Sequence, residues 1–311
     1  MKTKNLVLVI ASMTVLLSLY SCSSSNNNQD NKEASSESTA GTSENKSHIT
    51  QQNLNISIFL DVSDRISPKI HPNQTMEYYQ RDIGYINSVA SALEHRLLRK
   101  KVNLLNDNIQ LFIEPTPANR EINSIIEQLK HTITKNNATK EGILNLSDKY
   151  TMLTTKLYEE ALKAERYDGS DIWGFFKNNV KDYCIEENHR NILVVITDGY
   201  AYYKPSAIRE GNASSYLTEN YIKALKLNNS NWKTSMDEKG FGFIVANSGL
   251  ENLEVLVLGV NTYDGNPYTQ DIVKAYWSNW LEAMGVQRYA IKGADIPSSL
   301  DGVIQKFILN P

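Results

Sequence analysis

Three short segments carry the oxygen-rich side chains from which a binding site can be built. They are Asp61-Val62-Ser63-Asp64-Arg65, Gly169-Ser170-Asp171 and Thr197-Asp198-Gly199. Each follows an apolar run or opens a helical stretch, so each falls where a chain leaves one element and enters the next. Carboxylate and hydroxyl oxygens without thiolate or imidazole select a hard cation, Mg²⁺ above all, with waters filling the remaining positions. Asp61, Ser63, Ser170 and Asp198 are the candidate ligands. Ser170 or Asp171 is also well placed to cap the helix that follows.

Other chemistries lack their residues. No phosphate-cradling Gly-x-x-x-x-Gly-Lys-Ser/Thr occurs, and no Gly-x-Gly-x-x-Gly follows a predicted strand. The five histidines lie far apart, with no His-x-x-x-His pair for zinc. There is no Gly-x-Ser-x-Gly nucleophile turn. The acid pairs Glu159-Glu160 and Glu186-Glu187 are sequence neighbours, which point apart on a helix. Nothing in the motifs calls for catalysis.

The elements that must position these segments alternate between strand and helix. Leu54–Asp61 is a β-rich apolar run, and Met76, Tyr79, Ile83, Ile86, Ala90, Leu93 and Leu97 keep helical spacing. Ile109–Ile113 predicts a strand, closed by Pro115 and Pro117, and Ile122 to Ile133 predicts a helix. Further helices are expected over Asp148–Ala164 and Asp171–Tyr183. Asn191–Thr197 and Asn252–Val260 are continuous apolar runs, as strands buried on both faces require. Thr269–Met284 (helix), Gln287–Ile291 (strand) and Ser298–Leu309 (helix) complete the alternation. The pattern predicts an α/β fold with an open, mostly parallel, doubly wound sheet flanked by helices. In such sheets ligands bind beyond the strands' carboxyl ends, which is where the Asp61 and Asp198 segments fall.

The order and spacing of these segments resemble a von Willebrand factor type A domain with its metal-ion-dependent adhesion site, over roughly Asn53 to Leu309. Asp61 and Ser63 match the first two positions of the family's Asp-x-Ser-x-Ser, and Asp198 matches the aspartate of its Thr-Asp-Gly-like turn. Ser170 stands in for the threonine of the middle loop. The resemblance implies a Mg²⁺ site whose last coordination position is filled by a carboxylate from a protein or other macromolecular partner. Arg65 departs from the pattern, standing where the second serine belongs. Either it swings out and leaves the cation to the other four residues, or it pairs with Asp61 or Asp198 and its charge replaces the metal. In the second case Arg65 presents the positive charge to the partner.

The 311 residues carry 32 Lys+Arg against 35 Asp+Glu, a formal net charge of −3, with 41 % hydrophobic and 22 % charged residues. That balance offers no basic face for nucleic acid. Lys2 and Lys4 precede an apolar run from Leu6 to Leu19, shorter than the ~20 residues of a membrane span. Leu19-Tyr20-Ser21-Cys22 resembles a bacterial lipoprotein signal, in which Cys22 is acylated and anchors the protein to a membrane. Residues 23–52 are polar and compositionally suited to a disordered tether. The expected organisation is therefore a leader over 1–22, a tether over 23–52 and one α/β domain over 53–311, in a protein of the bacterial envelope.

The domain carries an insertion at about 200–249, long for a strand connection, with a helix expected near Ser215–Leu227. It begins at the rim of the Asp198 segment. Tyr202 and Tyr203 are the candidate partner contacts, and Trp232, Phe241 and Phe243 the candidate core members. Cys184 is expected to be a buried, inert thiol. These features favour a lipid-anchored binding module that catalyses nothing. A metal-dependent phosphoester hydrolase at the same strand ends, and a scaffold that binds through the insertion, are the alternatives.

Overall fold

Strand β1 (Asn53–Leu60) lies between β2 (Asn106–Phe112) and β4 (His189–Ile196), and pairs in parallel with both. The computed structural model describes residues 52–262 and 265–311. The expected leader, Cys22 as the expected acylation site, and the expected tether up to residue 51 lie outside the described residues. Strand β8 (Leu253–Val260) and β9 (Arg288–Gly293) extend the sheet beyond β4, and β3 (His131–Thr134) closes the other edge, in the order β3-β2-β1-β4-β8-β9. All pairings in this sheet are parallel except β2 with β3.

The central strands are apolar throughout because helices cover both faces. Ile192, Val194 and Ile196 of β4 point into one core layer, with Val89, Leu93 and Leu157. Leu193 and Val195 point into the other, with Phe175, Trp277 and Leu281. Helices α1 (Tyr78–Arg99), α4 (Leu146–Ala161) and α10 (Pro297–Leu309) cover the first face. Helices α5 (Ile172–Asn178) and α9 (Thr269–Ala283) cover the second. Between them in the chain come α2 (Arg120–Gln128), α3 (Lys140–Leu144), α6 (Val180–Tyr183), α7 (Glu219–Leu225) and α8 (Trp232–Lys239). Among the described residues no helix is long and apolar enough to cross a membrane.

Two expectations change. Ile133 belongs to strand β3, not to the preceding helix, which stops at Gln128. It follows Leu129 by four residues, a separation that imitates a helical turn. In the fold it instead pairs with Asp107 of β2 and packs, partly buried, against the first core layer. The stretch predicted as one helix over Asp171–Tyr183 is two, α5 and α6, broken at Asn179. The insertion holds α7 and α8 together with β5 (Arg209–Glu210), β6 (Ala213–Ser214) and β7 (Gly242–Phe243), which form a small sheet of their own. Phe243 is buried, with Trp232 and Phe241 packed more loosely beside it.

Candidate functional site

The strand order reverses between β1 and β4: from β1 the sheet grows toward β2 and β3, from β4 toward β8 and β9. The crevice that such a reversal opens is the general ligand position in this architecture. Leu60 pairs with Ile196, so the register carries Asp61 and the Thr197-Asp198 turn out of the sheet side by side. The Asp61 amide donates to the Ile196 carbonyl (3.0 Å), and the Thr197 hydroxyl donates to Asp61 Oδ2 (2.7 Å). Asp61 Oδ1 accepts from the Ser63 amide at 3.0 Å. Asp61 is thereby fixed at the floor, with both oxygens engaged.

Asp198 is held by its own turn. The Tyr200 amide donates to Asp198 Oδ1 (3.0 Å), and the Gly199 amide donates to the Thr197 hydroxyl (3.1 Å). Gly199 has φ +95°, and a Cβ there would stand 2.5 Å from Val273 Cγ1. Trp277 Nε1 donates to the Gly199 carbonyl from beneath at 2.9 Å. Burial, then the proximity of Asp61, push the Asp198 carboxyl up to about 8. A carboxylate so placed is short of positive charge.

Ser170 reaches the same crevice from the connection before α5. Its amide donates to the Tyr202 carbonyl (2.9 Å), and the next amide, of Asp171, donates to the Glu114 carbonyl (2.8 Å). Asp171 rather than Ser170 caps α5, with Oδ1 accepting from the Gly174 amide. The Ser170 hydroxyl is therefore released from capping; it is buried and has no hydrogen-bond partner among the described residues. The preceding Gly169 has φ +88°, and a Cβ there would collide with the Tyr202 carbonyl oxygen.

Ser63, Ser170 and Asp198 line one cleft of about 590 Å³, together with Tyr200 and Tyr202. Asp61 lies behind it. Tyr202 is exposed and Tyr203 half-buried outside the cleft lining.

Arg65, expected to present its charge outward, is instead buried and does not line the cleft. It is 2 % exposed, and its Nη2 donates to Asp82 Oδ2 at 2.5 Å, a carboxylate oxygen that also accepts from the Tyr158 hydroxyl at 2.8 Å. Its Nε donates to the Asp61 carbonyl (2.9 Å) and stands 3.7 Å from Asp61 Oδ2. Its closest partner is thus Asp82 of α1, which was not expected from the sequence, while Asp61, which was, forms the longer ion pair. Burial alone would lower the Arg65 pKa, but Asp82 and Asp61 more than offset it and keep the guanidinium charged. Burial pushes the Asp82 carboxyl above its ordinary range, against the pull of Arg65 and Tyr158. The short contact and the second donor define a charge-assisted pair, so Asp82 is ionised.

Asp82 and Tyr158 are the residues that sequence reasoning passed over, and Thr197 was noted only as part of its turn, without a role. Asp82 had a signal: three and seven residues before Tyr85 and Val89, it sits on the apolar stripe of α1, where an unpaired acid would be costly.

The charges test whether a cation fits. Asp61, Asp82 and Asp198 face one guanidinium, so the buried group would carry two negative charges in excess if fully ionised. Arg65 is spent mainly on Asp82, leaving Asp61 and Asp198 under-compensated. Among the described residues no three His, Cys, Asp or Glu side chains gather at metal-binding distance. The available set is two carboxylates and two hydroxyls, which suits a hard divalent ion that keeps several waters. The unpartnered Ser170 hydroxyl is consistent with that set.

No protein-family model matches this chain, and no curated protein matches it. Among solved structures it is similar to the pilus adhesin SpaC from Lactobacillus rhamnosus GG, with a TM-score of 0.38 and 10 % identity over 83 % of this chain. The open conformation of that adhesin gives 0.38 and 11 %. The chain spans 30 % of the adhesin's length. An aerotolerance-related membrane protein from Bacteroides fragilis, bearing multiple mutations to serines, gives a TM-score of 0.36 and 11 % identity, over 82 % of this chain and 98 % of that one. Likenesses this distant carry no functional argument. The sheet order and the site stand on their own geometry, which is consistent with a type A-like fold.

Proposed function

We propose that this domain is a binding module of the bacterial envelope, anchored through Cys22, that captures a protein partner at the cleft above Asp61 and Asp198 with the help of a divalent cation. The observation that carries the reading is the under-compensated pair of buried aspartates beneath a cleft edged by the Ser63 and Ser170 side chains. Mg²⁺ would be held by Asp198, Ser63 and Ser170, with Asp61 directly or through water, and would offer a coordination position to a carboxylate of the partner.

The hydrolytic alternative draws less support. In its nucleophilic form it needs a free Asp61 oxygen to attack, yet both carboxylate oxygens already accept hydrogen bonds. The scaffold alternative predicts that the tip of the insertion, not Asp198, governs capture.

Calorimetric titration with Mg²⁺ and Mn²⁺, beside Asp198→Asn, tests the reading. Saturable binding that the variant loses is the expected result. No heat of binding to a folded protein at pH 8 would refute the cation.

A further inference from the structure

The cleft has a rim chemistry separate from its floor. Asp64, Glu165 and Asp168 line it, are exposed, and make no ion pair among the described residues. Glu219 also lines it, paired with Lys223 one helical turn away. Among the described residues Arg166 is the only Lys or Arg in the lining. Burial lowers the His71 pKa, so that ring adds no positive charge near neutral pH.

Acids alone would not define a ligand, but two further features point to one. Ser170 is 4 % exposed and lines the cleft, and its buried hydroxyl has no partner among the described residues. The walls also include Tyr167, Tyr200 and Tyr202, with Tyr202 43 % exposed and Ile70 beside it in the lining 52 % exposed. Aromatic faces among carboxylates suit an organic cation, whose charge the acids attract and whose methylene stem the apolar surface covers.

We propose that the polypeptide segment entering this cleft is basic, its lysine or arginine side chains lodged among Asp64, Glu165, Asp168 and the faces of Tyr200 and Tyr202. The inference rests on the reading of the cleft as a partner site but not on the cation. It adds to the expected single acidic contact at the floor: a bound divalent ion would draw one carboxylate, while the rim around it draws positive charge. Net acidity focused in a concave site also speeds encounter with a basic segment at low salt.

The test uses the full chain in a neutral detergent and a fluorescein-labelled hexalysine peptide, with hexaglutamate as its counterpart, read by anisotropy. Saturable hexalysine binding is expected, weakening with salt. The rim variant Asp64→Asn/Glu165→Gln/Asp168→Asn should bind about tenfold more weakly, as loss of three partly screened charges implies. The control Glu127→Gln/Glu141→Gln/Glu187→Gln removes the same charge elsewhere and should bind within about twofold of the parent. Equal weakening in both variants, hexaglutamate binding as tightly as hexalysine, or no saturable hexalysine binding would overturn the proposal. Hexalysine binding should persist in EDTA, because removing a cation makes the cleft more acidic. Failure of the Mg²⁺ titration and failure of the rim contrast are thus separate results.

Discussion

Arg65 reaches under the cleft to Asp82, with Nη2 2.5 Å from Oδ2, and so ties the loop after β1 to helix α1. Both side chains are almost wholly buried. The loop after β1 thereby carries a fixed internal cation whose charge is largely spent away from the cleft. This division of charge should govern stability and the affinity for any cation taken up at the proposed site.

Asp82→Ala should destabilise the fold by about 3–5 kcal/mol, because it leaves a charged guanidinium buried without its partner. Urea denaturation midpoints measure it. The paired replacement Arg65→Met/Asp82→Leu should recover most of the loss, since desolvating two charges costs nearly what their attraction returns. A loss under about 1 kcal/mol for Asp82→Ala would mean that Arg65 finds compensation elsewhere.

Removing both members of the pair with Arg65→Ser/Asp82→Asn should strengthen Mg²⁺ binding by about tenfold, or about 1.4 kcal/mol. It deletes a positive charge 3.7 Å from Asp61 Oδ2 and adds a hydroxyl in the first loop. Calorimetry on the folded double variant decides it, and unchanged or weaker binding would contradict the charge argument.

Asp198 should make stability fall with rising pH. Its ordinary value is 3.8, and burial beside Asp61 raises it to about 8 in the fold. Between those limits the folded state holds a proton that the unfolded state has released, so folding stability declines as pH climbs and levels off above about 8. Asp198→Asn should remove that slope. Mg²⁺ should stabilise the parent most at about pH 8 and above, where the carboxylate is free to bind it. Thermal melts of the two proteins across roughly pH 5–9 supply the comparison.

Cys184 should resist thiol reagents while the protein is folded. It is fully buried, and burial pushes its thiol up to about 12, so almost no thiolate exists near neutral pH. Ellman's reagent should report little thiol in the native protein and full reactivity at Cys184 in guanidinium. Rapid native reaction would show that α6 opens readily.

Gly169→Ala should distort the cleft more than the fold. At φ +88° a side chain is strained, and its Cβ would press on the Tyr202 carbonyl that accepts from Ser170. The expected cost is roughly 1–3 kcal/mol of stability, with Mg²⁺ binding weakened beyond what the lost stability explains. Normal Mg²⁺ affinity would remove Ser170 from the ligand set.

The central strands and most helices were legible in the sequence because burial on two faces writes continuous apolar runs, and burial on one writes a helical period. Asp61 and Asp198 could be placed at strand carboxyl ends for the same reason, but that β1 and β4 are neighbours belongs to the tertiary structure. Strand β3 was hidden, since His131–Thr134 is short, partly polar and nowhere fully buried. The direction of Arg65 belonged to tertiary structure alone. Its sequence neighbours show a cation beside an aspartate, but its choice of Asp82 depends on α1 crossing the sheet where Tyr158 of α4 completes the pair. Residue type and spacing therefore determined which groups stand at the end of the sheet. Only long-range packing decided which charges were already satisfied there and which remained open to a ligand, because ionic compensation depends on distance in space and not along the chain.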